Sequence, residues 1–194
     1  LGKTVPGYAL DRMCAGALTA IVNVVVPQLE TVGAANSTSL TPNDAPSLQA
    51  TKLVGELFQE YDSNSSAMIV LESDTPLGDE AHRYYDGLIA ALEKDKTHIQ
   101  HIQDLWGDPL TSSGSQSADN LSAYVQLYIA GNQGETLAND SVEAVRDIVA
   151  DNPPPPGLRV FVTGPGPLNS DQQHAGDKSL QLVTALTFVV IVTM

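Results

Sequence analysis

Six sets of residues have the types or spacing that chemistry would require. His98 and His101 stand in an H-x-x-H spacing that could open a metal site. The adjacent carboxylates Asp79 and Glu80 could share proton-transfer work. Gly2-Lys3-Thr4 and Gly164-Pro165-Gly166 are fragments of a phosphate-binding loop, while Tyr84, Tyr85 and Trp106 offer rings on which a ligand could stack. A lone cysteine, Cys14, is the only thiol. Each has a simpler explanation. On a strand the two histidines point to opposite faces and no third ligand lies nearby in sequence, so they read as a surface or half-buried pair. Asp79 and Glu80 fall where a helix opens, and there acids favour the helix dipole. Gly2-Lys3-Thr4 lacks the upstream glycine and the strand–helix context of a phosphate loop. The second glycine pair would be asked to hold an anion in an acidic chain. The three rings read as core and loop anchors, and Cys14 sits in an apolar run, where it gives the polar part of the chain neither nucleophile nor disulfide. No catalytic, cofactor-binding or metal residue can therefore be named. A secreted hydrolase is the least favoured function class.

Charge and hydropathy patterning say more. Two apolar runs, Met13–Pro27 and Leu180–Met194, bracket a polar stretch holding nearly all of the charge. Between Gln28 and Asp177 there are 22 acidic residues against 6 Lys and Arg, a net of −16, which repels nucleic acid and anionic headgroups alike. Neither run reaches the roughly 20 apolar residues that cross a bilayer. The second is cut by the end of the sequence rather than by a charge or turn residue, and reads as the start of a spanning helix in a fragment. The first reads as an anchor helix, with a signal peptide as the rival. Lys3 and Arg12 before it place the N-terminus in the cytoplasm and residues 28–177 outside.

The polar stretch is long enough for one domain. Thr38–Ser47 is a turn-rich loop leading into a helix with Val54, Leu57, Phe58 and Tyr61 on one face, capped by Asp44 or Ser47. Ala67–Leu71 has the continuous apolar character of a buried strand. Thr75-Pro76 predicts an N-cap and first helical residue, followed by a stripe of Leu77, Ala81, Tyr84, Tyr85, Leu88 and Leu92. His98–Leu105 fits either helix or strand, and Ala123–Ala130 is the clearest strand. Asp140 and Glu143 form a capping box for a helix carrying Val142, Val145, Ile148 and Val149, stopped by Asn152 and Pro153–Pro156. Leu158–Val162 alternates as a half-buried strand. The order after the first helix is β-α-β twice, which suggests an α+β domain with the split βαβ, or ferredoxin-like, arrangement.

The stretches VPQLE (26–30), SDTPLGDEAHRYYDGLIAALEKDKTHIQHIQDLWGDPLT (73–111), AYVQLYIAGNQGE (123–135), SVEAVRDIV (141–149) and PPPPGLRVFVTGP (153–165) resemble the large mycobacterial membrane proteins called MmpL, transporters of the resistance–nodulation–division superfamily. The resemblance covers nearly everything after residue 20 and is strongest to the siderophore- and glycolipid-exporting branch. It implies an anchor segment with the first transmembrane helix (1–27), an extracytoplasmic, ferredoxin-like porter domain (28–177) and the start of a second transmembrane helix (178–194). It further implies a non-enzymatic role in proton-driven export of lipids or siderophores across the inner membrane. The implied partners are the remainder of the transporter chain, the cargo, a small MmpS-type accessory protein and further copies in a homo-oligomer. The Asp and Tyr residues that couple such proteins to protons belong to later helices, and Asp11 has no tyrosine partner to stand in for them. The segment before Met13 departs from the family's usual apolar start. The alternative function is a membrane-tethered binding or scaffolding module.

Overall fold

A computed structural model of the 194-residue chain describes residues 37–193 except 40 and 43. The first apolar run and the stretch VPQLE lie outside the described residues. Four strands, β1 (Ser65–Ser73), β2 (Ile99–Gln103), β3 (Ser122–Ile129) and β4 (Leu158–Thr163), form one sheet in the order β2-β3-β1-β4, with every neighbouring pair antiparallel. Four helices accompany them: α1 (Pro46–Phe58), α2 (Asp79–Leu92), α3 (Thr136–Asp151) and α4 (Pro165–Thr193). Helix α2 joins β1 to β2 and α3 joins β3 to β4. In each unit the two strands so joined are separated by a strand of the other unit.

Period-two alternation dictates the sheet's inner face. Ala67, Ile69 and Leu71 of β1 and Val125, Leu127 and Ile129 of β3 are all at most 1% exposed. They pack against Tyr85, Leu88, Ile89 and Leu92 of α2 and Val142 and Val145 of α3. The stripe expected on α2 is therefore the buried one, with Tyr84 half-buried at its edge and Ile89 added. The His98–Leu105 segment resolves as a strand. Its register against β3 shifts between Ile99 and His101, a local irregularity that periodicity does not foretell.

Three helix starts differ from expectation. Helix α2 opens at Asp79 with Gly78 as N-cap, because Thr75–Leu77 is held in the loop: the Thr75 N–H donates to Ser73 Oγ at 3.2 Å and the Leu77 N–H to the Asn120 carbonyl at 2.8 Å. Asp79 and Glu80 occupy its first turn as read. Helix α3 opens at Thr136, one turn before Asp140, so Asp140 and Glu143 do not form the capping box. Glu135, at the N-cap, instead accepts hydrogen bonds from the backbone N–H and Nδ2 of Asn132 at 2.8 and 3.0 Å. Helix α1 opens at Pro46, and neither Asp44 nor Ser47 caps it. Its face is also misread: Leu48 and Gly55 are buried, while Val54, Leu57 and Phe58 are exposed.

Helix α4 begins immediately after β4, through residues that read as a loop. Gly164 turns the chain at φ 112°, a conformation that favours glycine. Gly166 is buried against β1, where a Cβ would stand 2.9 Å from the Ser66 carbonyl oxygen. Further along, Asp171 pairs with Arg146 of α3 at 2.7 Å, and Asn139 donates to Gln173 at 2.6 Å. No helix among the described residues is long and apolar enough to cross a membrane. In α4 the stretch 169–178 is polar and only the part from Leu180 onward is apolar.

Two stability outcomes follow in denaturant melts of the isolated domain. Leu88→Ala, at a site 1% exposed, should cost about 2–5 kcal/mol, whereas the exposed Arg83→Ala should stay within about 0.5 kcal/mol. Gly166→Ala should destabilise, while Gly176→Ala, where an added Cβ meets nothing within 4 Å, should be neutral or stabilising by up to about 1 kcal/mol through helix propensity.

Candidate functional site

Residues that alternate with the core on each strand form the second face of the sheet. The strand register aligns them in rows: Phe161–Val70–Tyr124, then Thr163–Met68–Gln126, then Ser66–Tyr128–His101. Apart from Phe161 and Thr163, which are exposed, they are half-buried; Phe161, on edge strand β4, is 48% exposed. The face thus carries its aromatic residues in the two outer rows, with Met68 between polar Thr163 and Gln126 in the middle one, which suits an amphipathic partner. At one end Arg159 bridges Glu72 at 3.4 Å and Asp74 at 3.0 Å, an exposed triad that closes the apolar row with charge. At the other end the connector after α1 folds over the sheet. Tyr61 stacks on Tyr128 with centroids 3.9 Å apart and planes 2° from parallel. Beside this stack Glu60 lies 3.7 Å from His101, and Gln100 exchanges hydrogen bonds with Asp62. Burial raises the Tyr128 phenol above its ordinary value, with Tyr61 adding to it.

The residues singled out for chemistry do not converge. His98 precedes β2 and its Nδ1 lies 2.8 Å from Asp95 Oδ2, whereas His101 faces Glu60 and Tyr128. Among the described residues no group of three or more His, Cys, Asp or Glu could hold a metal. Gly164 and Gly166 serve close approach to the backbone of β1, and that backbone fills the space a phosphate would need. Trp106 is 1% exposed and Tyr85 is fully buried; they meet edge to face at 4.9 Å, with His82 stacked on the indole at 3.9 Å. Trp106 Nε1 donates to Gln116 and Tyr85 Oη to Asp104, so these rings anchor the β2–β3 loop as expected. Burial and the Asp104 hydrogen bond push the Tyr85 hydroxyl far up, leaving it no role as an acid. A cleft of about 270 Å³ lies between the β1–α2 and α3–β4 loops, lined by Ser73, Thr75, Asp79, Glu80 and Pro155–Leu158; its two hydroxyls, Ser73 Oγ and Thr75 Oγ1, lie 3.4 Å from each other. Gly2-Lys3-Thr4, Asp11 and Cys14 lie outside the described residues.

The model of the MMPL family matches residues 39–194. The chain belongs to the MMPL family. It is 56% identical over 182 residues, 94% of its length, to "Probable transport protein MmpL9" of Mycobacterium tuberculosis. It is 57% identical over 175 residues, 90% of its length, to "Siderophore exporter MmpL5" of the same species. Against that species' "Phthiocerol dimycocerosate exporter MmpL7", identity is 31% over 159 residues, 81% of the chain. These stretches make up 19%, 18% and 17% of the three relatives, so the chain spans about a fifth of their length. The resemblance read from the residues is thereby shown.

The open face went unread in the sequence, although its signal is there. The alternation that buries Ile69, Val125 and Leu158 necessarily turns Val70, Tyr124 and Phe161 outward, and three large residues outward in one row are too many for a purely solvated face. Tyr61 was expected on the apolar face of α1; it lies beyond the helix and covers the sheet.

Asp95 gives a pH-dependent outcome. Partial burial opposes its ionisation, but hydrogen bonds from the His98 ring and the backbone N–H groups of His98 and Thr97 outweigh it and hold the carboxyl below its ordinary 3.8. A depressed folded-state value contributes stability above about pH 4, lost as pH falls through the lower folded value. Asp95→Asn should therefore destabilise the domain at pH 7, with the gap to wild type closing toward pH 3 in thermal melts.

Proposed function

We propose that this chain is the N-terminal part of a proton-driven exporter of lipids or siderophores, with residues 28–177 as its extracytoplasmic porter domain of ferredoxin-like fold. Residues 1–27 and 178–194 then belong to the first transmembrane helix and the start of the second. The observation that carries the reading is the apolar row Phe161–Val70–Tyr124, exposed at Phe161 and half-buried at Val70 and Tyr124, on the sheet face not used by the core, in a domain whose relatives are named as exporters. The split strand order supports the fold, being the order of two interleaved βαβ units. In this reading the sheet face contacts cargo that is apolar over most of its surface and polar at one end. The porter domain itself performs no chemistry. The energy source lies in intramembrane aspartates of later helices, and the cargo path is completed by the rest of the polypeptide, by further copies in a homo-oligomer and by a small MmpS-type accessory protein.

Two measurements test this. In the full-length protein Phe161→Asp, at a half-exposed position, should lower export by about tenfold or more, as loss of an apolar anchor contact does, while Phe161→Leu retains it. Unchanged export by a correctly folded Phe161→Asp protein would remove the sheet face from the cargo path. For topology, a cysteine at Ser113 should react with an impermeant reagent in intact cells; Ser115, though in the same loop, is 1% exposed and would be silent in either orientation. Reaction only after permeabilisation would place the domain inside.

A further inference from the structure

Trp106, the single tryptophan of the chain, is buried in the β2–β3 loop, and its contacts run in two directions. Toward α2, the half-buried His82 lies flat on the indole, with centroids 3.9 Å apart and planes 19° from parallel, and Tyr85 stands perpendicular to it. Toward β3, the indole Nε1 donates to Gln116 Oε1 at 3.2 Å. Gln116 forms the bridge that pairs this loop with Ala123, and the residues just before it hold Tyr124. The Tyr124 N–H donates to the Ser115 carbonyl at 2.9 Å, and its hydroxyl donates to the Gly114 carbonyl at 3.4 Å. Tyr124 is the β3 member of the outward row Phe161–Val70–Tyr124. A titratable ring in the helix layer is thereby joined, through Trp106 and Gln116, to an aromatic residue on the opposite face of the sheet.

We propose that His82 is a pH-responsive positioning residue for the open sheet face: protonated, it grips Trp106 more strongly, tightens the loop around Gly114–Gln116 and fixes Tyr124 in its row. A neutral imidazole meets the indole by stacking alone. An imidazolium is also drawn to the electron-rich face of the ring, and tryptophan offers the strongest such attraction. Histidine is the side chain whose charge ordinarily changes between pH 5 and 8, and half-burial leaves His82 in contact with solvent. The ionisable groups around the pair are Asp79 and Asp86, about a turn to either side on α2, Tyr85 with Asp104 bonded to its hydroxyl, and Asp108 farther along the loop. The nearest cation in sequence is Arg83, whose Nε donates to the Asp79 carbonyl at 3.2 Å. A charge on His82 therefore meets acids in this group, with Arg83 the exception. The consequence for cargo rests on the reading of the open face given above. The test reads the loop and not export, so the two can fail separately.

The experiment uses the 194-residue chain in detergent, where tryptophan emission reports Trp106 alone, with 3-fluorotyrosine in place of Tyr124 as a second probe. As the pH is lowered from 7 to 5, Trp106 emission should fall, because a protonated imidazole in contact quenches indole, and the fluorine resonance at position 124 should shift with the same midpoint. His82→Gln should abolish both changes. His82→Phe, which keeps a ring on the indole and so guards against loss of the fold, should also make both probes indifferent to pH. Gln116→Leu should keep the emission change and lose the fluorine shift. An emission change that is absent from the unsubstituted chain, or that survives His82→Gln, would overturn protonation at the stack. A fluorine resonance that ignores the pH while emission responds, or that still shifts in Gln116→Leu, would overturn the connection to Tyr124.

Discussion

The pairing of β1 with two strands that arrive much later in the chain is the constraint on which the domain rests. Ile69 lies opposite Val125 on one side and Val162 on the other, so the centre of the sheet closes only when residues more than fifty and ninety positions away come into register. Both βαβ units need that centre: β3 lies between the strands of the first and β1 between those of the second. The helices follow, because the apolar inner face made by Ile69, Leu71, Val125 and Leu127 is the one that α2 and α3 cover as they cross from strand to strand. The backbone of β1 also receives the start of α4, whose Gly166 comes within a missing Cβ of the Ser66 carbonyl. Non-local pairing of this kind makes for slow folding, since loop closure precedes the contacts that offset it.

The parts of this architecture legible in the sequence are those governed by a single local rule. Strands β1, β3 and β4 show themselves by alternation or by continuous apolar runs, and the stripe of α2 by its 3.6-residue period. The helix starts were not legible. Thr75-Pro76 and Asp140…Glu143 have the right residue types for caps, but other contacts made the choice among candidates: the Leu77 N–H is held by the distant Asn120 carbonyl, and Glu135 by a local bond from Asn132. The first turns of α4 were hidden for the same reason. Gly164-Pro165-Gly166-Pro167 has the composition of a loop, and only the close approach to β1 shows that its glycines are spacers and its prolines first-turn residues.

The open face of the sheet illustrates a different limit. Chemistry leaves recognisable residue types at recognisable spacings, and among the described residues no group of His, Cys, Asp and Glu able to hold a metal comes together. A surface built from Val70, Tyr124 and Phe161 leaves no such mark, because each residue is ordinary on its own strand and becomes a row only through a register that joins residues from three separate parts of the chain. Family membership was legible from long stretches of similar sequence, and it is independent of that difficulty.

Helix α4 runs unbroken through 29 residues from the edge of the sheet, so at about 1.5 Å per residue it is a rod of roughly 43 Å. Its first turns are fixed to β1 through Gly166 and to α3 through Asp171 and Gln173, while its far half is apolar. A rod clamped at one end behaves as an indicator needle: a rotation of the sheet by about 10° sweeps the distal end through roughly 7 Å, more than one helical pitch of about 5.4 Å. Rearrangements of the sheet too small to disturb its packing are thereby large displacements at the end of the helix.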